Sequence, residues 1–123
     1  LILEAMKMEN ILFYVGFIVL VAYLGWRRIQ FMAVKKQVPQ MVEHGAIIID
    51  VRSPEEFRSG NNPKSINIPV NDFMDQIDRL DKNRPVVLCC ASGGRSGVAA
   101  AMLKSRGFAN VVNAGAWSNT LES

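Results

Sequence analysis

Pro85-Val86-Val87-Leu88-Cys89-Cys90-Ala91-Ser92-Gly93-Gly94-Arg95-Ser96-Gly97-Val98-Ala99-Ala100-Ala101-Met102-Leu103 decides the fold. The apolar run Pro85–Cys89 predicts a buried strand, and Val98–Leu103 carries a helical pattern. Between them lies a short loop with two adjacent glycines, Gly93 and Gly94, whose missing Cβ atoms let the backbone curl. A curled loop at a helix N-terminus turns its N–H groups inward and makes a concave anion site. Cys90 sits on the rim of that cradle. A thiol there has its anionic form favoured and is expected to act as a nucleophile at neutral pH. Arg95 closes the loop with a permanent positive charge suited to oxyanions.

Working outward, Ala46–Val51 is a second apolar run, expected as a strand of a parallel sheet buried on both faces. It carries Asp50, and Arg52 follows at its C-terminal end, where open α/β sheets keep their sites. Taken alone, Asp50 reads as half of a salt bridge that positions a loop or an arginine. Ser53-Pro54-Glu55-Glu56 has the spacing of a capping box with proline at the first helical position. Arg58, on that helix, reads equally as a solvated side chain or as a pocket residue. Ser65–Ile68 is expected as a short strand, Asn71–Leu80 as an amphipathic helix with Phe73, Ile77 and Leu80 inward, and Val111-Val112 as the last strand. Alternation points Cys89 away from Cys90 and into the core. His44 reads as a solvent-facing residue at a helix end rather than a base.

These motifs, taken together, resemble the rhodanese (sulfurtransferase) family. Its active-site loop, C-x-x-G-x-R, is met by Cys90, Gly93 and Arg95, and Ile47-Ile48-Ile49-Asp50-Val51-Arg52 looks like its first-strand signature. Ile66-Asn67-Ile68-Pro69, Gly107–Asn113 and Gly115-Ala116-Trp117 look like its later ones. Gly60-Asn61-Asn62-Pro63-Lys64-Ser65 departs from the usual G-H-I-P-G-A, which is expected to alter a turn. The resemblance implies a small α/β domain: a central parallel sheet flanked by helices. It implies Cys90 as the carrier of a persulfide. Ala91, Ser92, Gly93, Gly94, Arg95 and Ser96 would form the loop around it, with Asp50, Arg52 and Arg58 in support. It implies no metal and no cofactor. Phosphatases, the other class built on such a loop, place five residues between Cys and Arg; the four here suit a sulfur atom better than a phosphate. The loop has no cation before Arg95, so a protein persulfide or polysulfide is expected as donor alongside thiosulfate. The alternative is a catalytically weak binding or sensor module of the same fold.

The rest of the chain bounds the setting. Residues 37–123 carry nine Lys/Arg and nine Asp/Glu, so the net charge of +3 resides elsewhere. Arg27, Arg28, Lys35 and Lys36 give four positive charges with no acid among residues 27–36, and Lys7 against Glu4 and Glu9 takes one away. Such a patch beside an apolar segment argues against nucleic-acid binding. Asn10–Trp26 has no charge over 17 residues, about 26 Å as a helix. That is at the short end for a membrane span. A retained anchor is expected rather than a cleaved signal peptide, because no small-x-small site follows. The flanking cations place the domain on the cytoplasmic side. The expected organisation is thus an N-terminal segment 1–9 of upstream origin, a transmembrane helix 10–26, a basic juxtamembrane linker 27–38 and the domain 39–123, its short first helix opening at Pro39. Glu4-Ala5-Met6-Lys7-Met8 resembles a biotin-attachment motif, but has no carrier sandwich around it. Two vicinal cysteines exclude a disulfide framework and fit a reducing compartment.

Overall fold

The computed structural model describes residues 1–121. The chain divides into two compact units, Leu1–Met32 and Ala33–Ser123. The first is helical, and its apolar side chains are exposed along Ile11–Trp26. By length and composition its helix could cross a membrane.

The second unit is an α/β domain. Four parallel strands, β1 (Ile47–Asp50), β2 (Ser65–Asn67), β3 (Val86–Cys90) and β4 (Val111–Ala116), lie in the order β2-β1-β3-β4. The helices are α1 (Ile2–Glu43), α2 (Pro54–Ser59), α3 (Phe73–Gln76) and α4 (Gly94–Ser105). As expected for a central parallel sheet, β3 is buried on both faces. Val86, Leu88 and Cys90 join Ile49, Phe73, Ile77, Ala99 and Leu103 on one side. Val87 and Cys89 join Ile48, Ala114 and Val38 on the other.

Three expectations are corrected. Pro39 does not open a helix; it lies inside α1, which runs unbroken to Glu43. The ring removes one main-chain hydrogen bond, but Val34, Val38, Met41 and Val42 follow helical spacing and pack on the sheet, and that burial offsets the loss. Val34 and Val38, expected in a linker, therefore belong to the domain core. The segment 71–80 is not one helix. Two 3₁₀ turns, Val70–Asp72 and Ile77–Arg79, flank the single turn of α3. Phe73 and Ile77 are nonetheless fully buried, as the periodicity requires. The last strand is longer than Val111-Val112 and carries an irregularity: Leu88 pairs with Asn113 but Cys90 with Ala116. Such a bulge re-aims a side chain.

The altered turn at 60–65 is closed by Asn62. Its carbonyl accepts from the Ser65 main chain and hydroxyl, its Oδ1 accepts from the Lys64 N–H, and its Nδ2 donates to Thr120. A polar side chain can be buried at that place because every one of those groups is paired.

Candidate active site

Cys90 ends β3 at the C-terminal edge of the sheet, and the loop curls over it to open α4. Gly93 provides the curl, with φ of +104°; a side chain there would be strained. Gly94 is already helical, so only one of the two glycines uses left-handed backbone. The Gly93 N–H donates to Cys90 Sγ at 2.9 Å, and the Ser96 hydroxyl lies 3.2 Å from the same sulfur. Burial is the largest single influence on the Cys90 thiol and opposes ionisation. Donation from Ser96, Gly93 and Ser92 outweighs it, and the thiol ends below its ordinary value. Ala91 and Ser92 are exposed, and Ser92 acts on the sulfur through its main chain.

Cys89 has the opposite fate. It is wholly buried on the other face, and burial, aided by Asp50, pushes its thiol up to about 12. Of two neighbouring thiols, only Cys90 is prepared to ionise.

The charged residues are arranged differently from the expectation. Arg95 does not stand free on the rim. It makes a forked pair with Glu56, Nη1–Oε1 2.6 Å and Nη2–Oε2 2.9 Å. Glu56 also completes the capping box of α2, its Oε1 accepting the Ser53 N–H while its own N–H donates to Ser53 Oγ. Arg95, followed by the Ser53 main chain, holds the Glu56 carboxyl down at about 2. Glu56 thus both caps α2 and neutralises the loop arginine. Nothing in the sequence links positions so far apart.

Asp50 and Arg52 form a buried lock. Arg52 Nε and Nη2 donate to the Asp50 carboxylate at 2.7–3.0 Å, and the remaining donors reach the carbonyls of Glu56 and Gly60. The guanidinium stacks 5.0 Å from the centre of the Trp117 ring. The pair ties α2 to the sheet edge beside the Trp117 ring. Arg58 is exposed on α2, and its side chain makes no hydrogen bond or ion pair among the described residues. His44 is exposed at the end of α1, its Nδ1 2.7 Å from the Gln40 carbonyl oxygen. Two hollows, of about 150 and about 410 Å³, are lined by other parts of the domain and by no residue of the Cys90–Ser96 loop. What the site offers is a cradle of donors around one sulfur.

That cradle has known counterparts. The family model of the rhodanese-like domain matches residues 34–119. The chain belongs to the rhodanese-like family of sulfurtransferases. It is 36% identical over 76 residues to the thiosulfate sulfurtransferase GlpE of Pseudomonas syringae, which covers 62% of this chain and 72% of that protein. A rhodanese of E. coli solved with anions is 34% identical, with a TM-score of 0.58, covering 61% of this chain and 91% of its own. The human single-domain sulfurtransferase TSTD1 is 25% identical with a TM-score of 0.63, covering 72% and 94%. The match begins at Val34, in agreement with the packing of α1 on the sheet. The N-terminal unit lies outside it.

Proposed function

We propose that this rhodanese-type sulfurtransferase is anchored in a membrane by Asn10–Trp26 and moves sulfane sulfur through a persulfide on Cys90. The observation that carries the reading is the pair of donors on Cys90 Sγ from Gly93 and Ser96. In the first half-reaction the Cys90 thiolate attacks the outer sulfur of the donor. The donor's S–S bond breaks, and its electron pair leaves with the remainder, sulfite in the case of thiosulfate. The outer sulfur of the resulting persulfide anion is held by the main-chain donors of the loop. In the second half-reaction a thiolate or cyanide attacks that outer sulfur, and Cys90 departs as the thiolate it was.

Arg95 is already neutralised by Glu56, and Ala91, Ser92 and Gly94 add no cation. A dianion such as thiosulfate gains little from such a rim, so a polysulfide or a protein persulfide is the favoured donor. Thiocyanate formation from cyanide, followed with each donor in turn, tests this. Glu56→Gln keeps the capping box and releases Arg95. It should raise kcat/KM for thiosulfate about threefold or more, with a smaller change for polysulfide. An unchanged preference between donors would overturn the charge argument.

The anchor is supported by the uncharged run and by the cations that follow it, Arg27, Arg28, Lys35 and Lys36. These cations can meet anionic headgroups, at about 1 kcal/mol each near the surface, and they favour a cytoplasmic domain. Protease added to intact spheroplasts should leave the domain uncut, and digestion there would reverse the orientation.

A further inference from the structure

The donors that face Cys90 are themselves held by a residue outside the loop. Asn113 stands on β4 beside the bulge, with Leu88 as its partner across the sheet. Its Nδ2 donates to the Gly93 carbonyl at 3.1 Å. Its Oδ1 accepts the Ser96 hydroxyl at 2.7 Å and the Gly115 N–H at 3.0 Å. The Gly115 contact is made across the bulge, where Gly115 has a φ of +78°. One amide therefore ties together the curl of the loop and the hydroxyl next to the sulfur. We propose that Asn113 is a positioning residue for sulfur transfer, holding through the Gly93 carbonyl the N–H that Gly93 presents to Cys90 Sγ; this rests on reading Cys90 as the sulfur carrier.

The Asn113 Oδ1 arm does not itself support the sulfur, because of the count of protons. The Ser96 hydroxyl has one hydrogen and two neighbours that can take it, Asn113 Oδ1 and Cys90 Sγ. Beside a neutral thiol it donates to Asn113 and can accept the S–H. Beside a thiolate or persulfide anion it turns to the sulfur. Asn113 Oδ1 keeps the Gly115 N–H in both states, so the turn leaves no buried acceptor bare. The second arm acts through the peptide of Gly93. The Gly93 carbonyl takes the Gly97 N–H at 2.9 Å and Asn113 Nδ2 at 3.1 Å, and together these fix the left-handed turn and with it the 2.9 Å approach of the N–H on the same residue. Losing the Nδ2 arm loosens the Gly93 donor and takes support from the thiolate, whereas losing Oδ1 leaves the Ser96 hydrogen to the sulfur.

The test titrates the thiolate by its ultraviolet absorbance in the full chain, with each variant referenced to the same variant carrying Cys90→Ser. This subtraction removes the tyrosines and Cys89. Compared in a Ser96→Ala background, where no hydroxyl can change partner, Asn113→Ala should move the titration midpoint to higher pH and lower the thiolate-to-thiol ratio at neutral pH about tenfold, a change of about one unit. The full thiolate signal should return at alkaline pH. Asn113→Ser, too short to span from β4 to the Gly93 carbonyl, should give the same displacement. A midpoint that stays or falls in a folded variant would overturn the proposal. So would a failure of both variants to fold, since Asn113 would then be a purely structural residue. No sulfur donor is involved, so a wild-type protein that titrates as described but transfers no sulfur would count against the sulfur-carrier reading and leave the positioning role standing.

Discussion

Cys90→Ser should abolish sulfur transfer, with a loss on the order of a thousandfold or more in thiocyanate production. The expectation rests on the chemistry of one atom. A serine hydroxyl is far from ionised at neutral pH and cannot hold an outer sulfur that exchanges by displacement. The neighbouring thiol cannot substitute. Cys89 is wholly buried on the opposite face of the sheet, and burial pushes it up to about 12. Cys89→Ser, by contrast, should cost packing and leave turnover within a few-fold. Activity of the Cys90→Ser protein near the wild-type level would refute the assignment of the carrier. The pH dependence follows from the same geometry: with donors holding the thiol below its ordinary value, the first half-reaction should rise with pH and reach its plateau earlier than a free thiol would.

Asp50→Ala should destabilise the domain by about 3–5 kcal/mol, a large part of the stability of a domain this size. The carboxylate is fully buried and takes donors from Arg52 Nε, Nη2 and main-chain N–H. Removing it strands a guanidinium under the Trp117 ring and within the sheet edge. Pairing the change with Arg52→Met should recover much of the loss, since the cost comes from an uncompensated buried charge rather than from the absence of the pair. Urea denaturation followed by circular dichroism, in detergent for the full chain, gives both values. A loss below about 1 kcal/mol for Asp50→Ala would mean that the lock is not needed to hold the sheet edge.

The parts of this architecture that were legible in the sequence are the local ones. Val86–Cys90 alternates two buried faces, Gly93 supplies the turn and α4 begins within two residues of it, so strand, cradle and helix follow from a single stretch. The capping box at Ser53 and Glu56 was readable for the same reason. What the sequence hid depends on side chains meeting across the fold. Glu56 reaches Arg95 only because α2 and the loop share the C-terminal edge of the sheet. Asn113 reaches the loop because β4 lies beside β3, with Asn113 paired to Leu88 two residues before Cys90. Pro39 looked like a helix start, since proline is well suited to a first turn. It sits instead within a helix held by Val34, Val38 and Val42 against the sheet, where tertiary packing overrides local preference. At 71–80 the apolar spacing identified the buried residues correctly. It could not foresee that three short turns would present them as well as one helix.

The most direct test is to incubate the protein with polysulfide or thiosulfate, quench it, and weigh the peptide that carries both cysteines. The account predicts a gain of one sulfur atom, located on Cys90 by fragmentation, absent from Cys90→Ser and removed by cyanide with formation of one thiocyanate. Turnover that continues while Cys90 stays unmodified, or a sulfur found on Cys89, would contradict it.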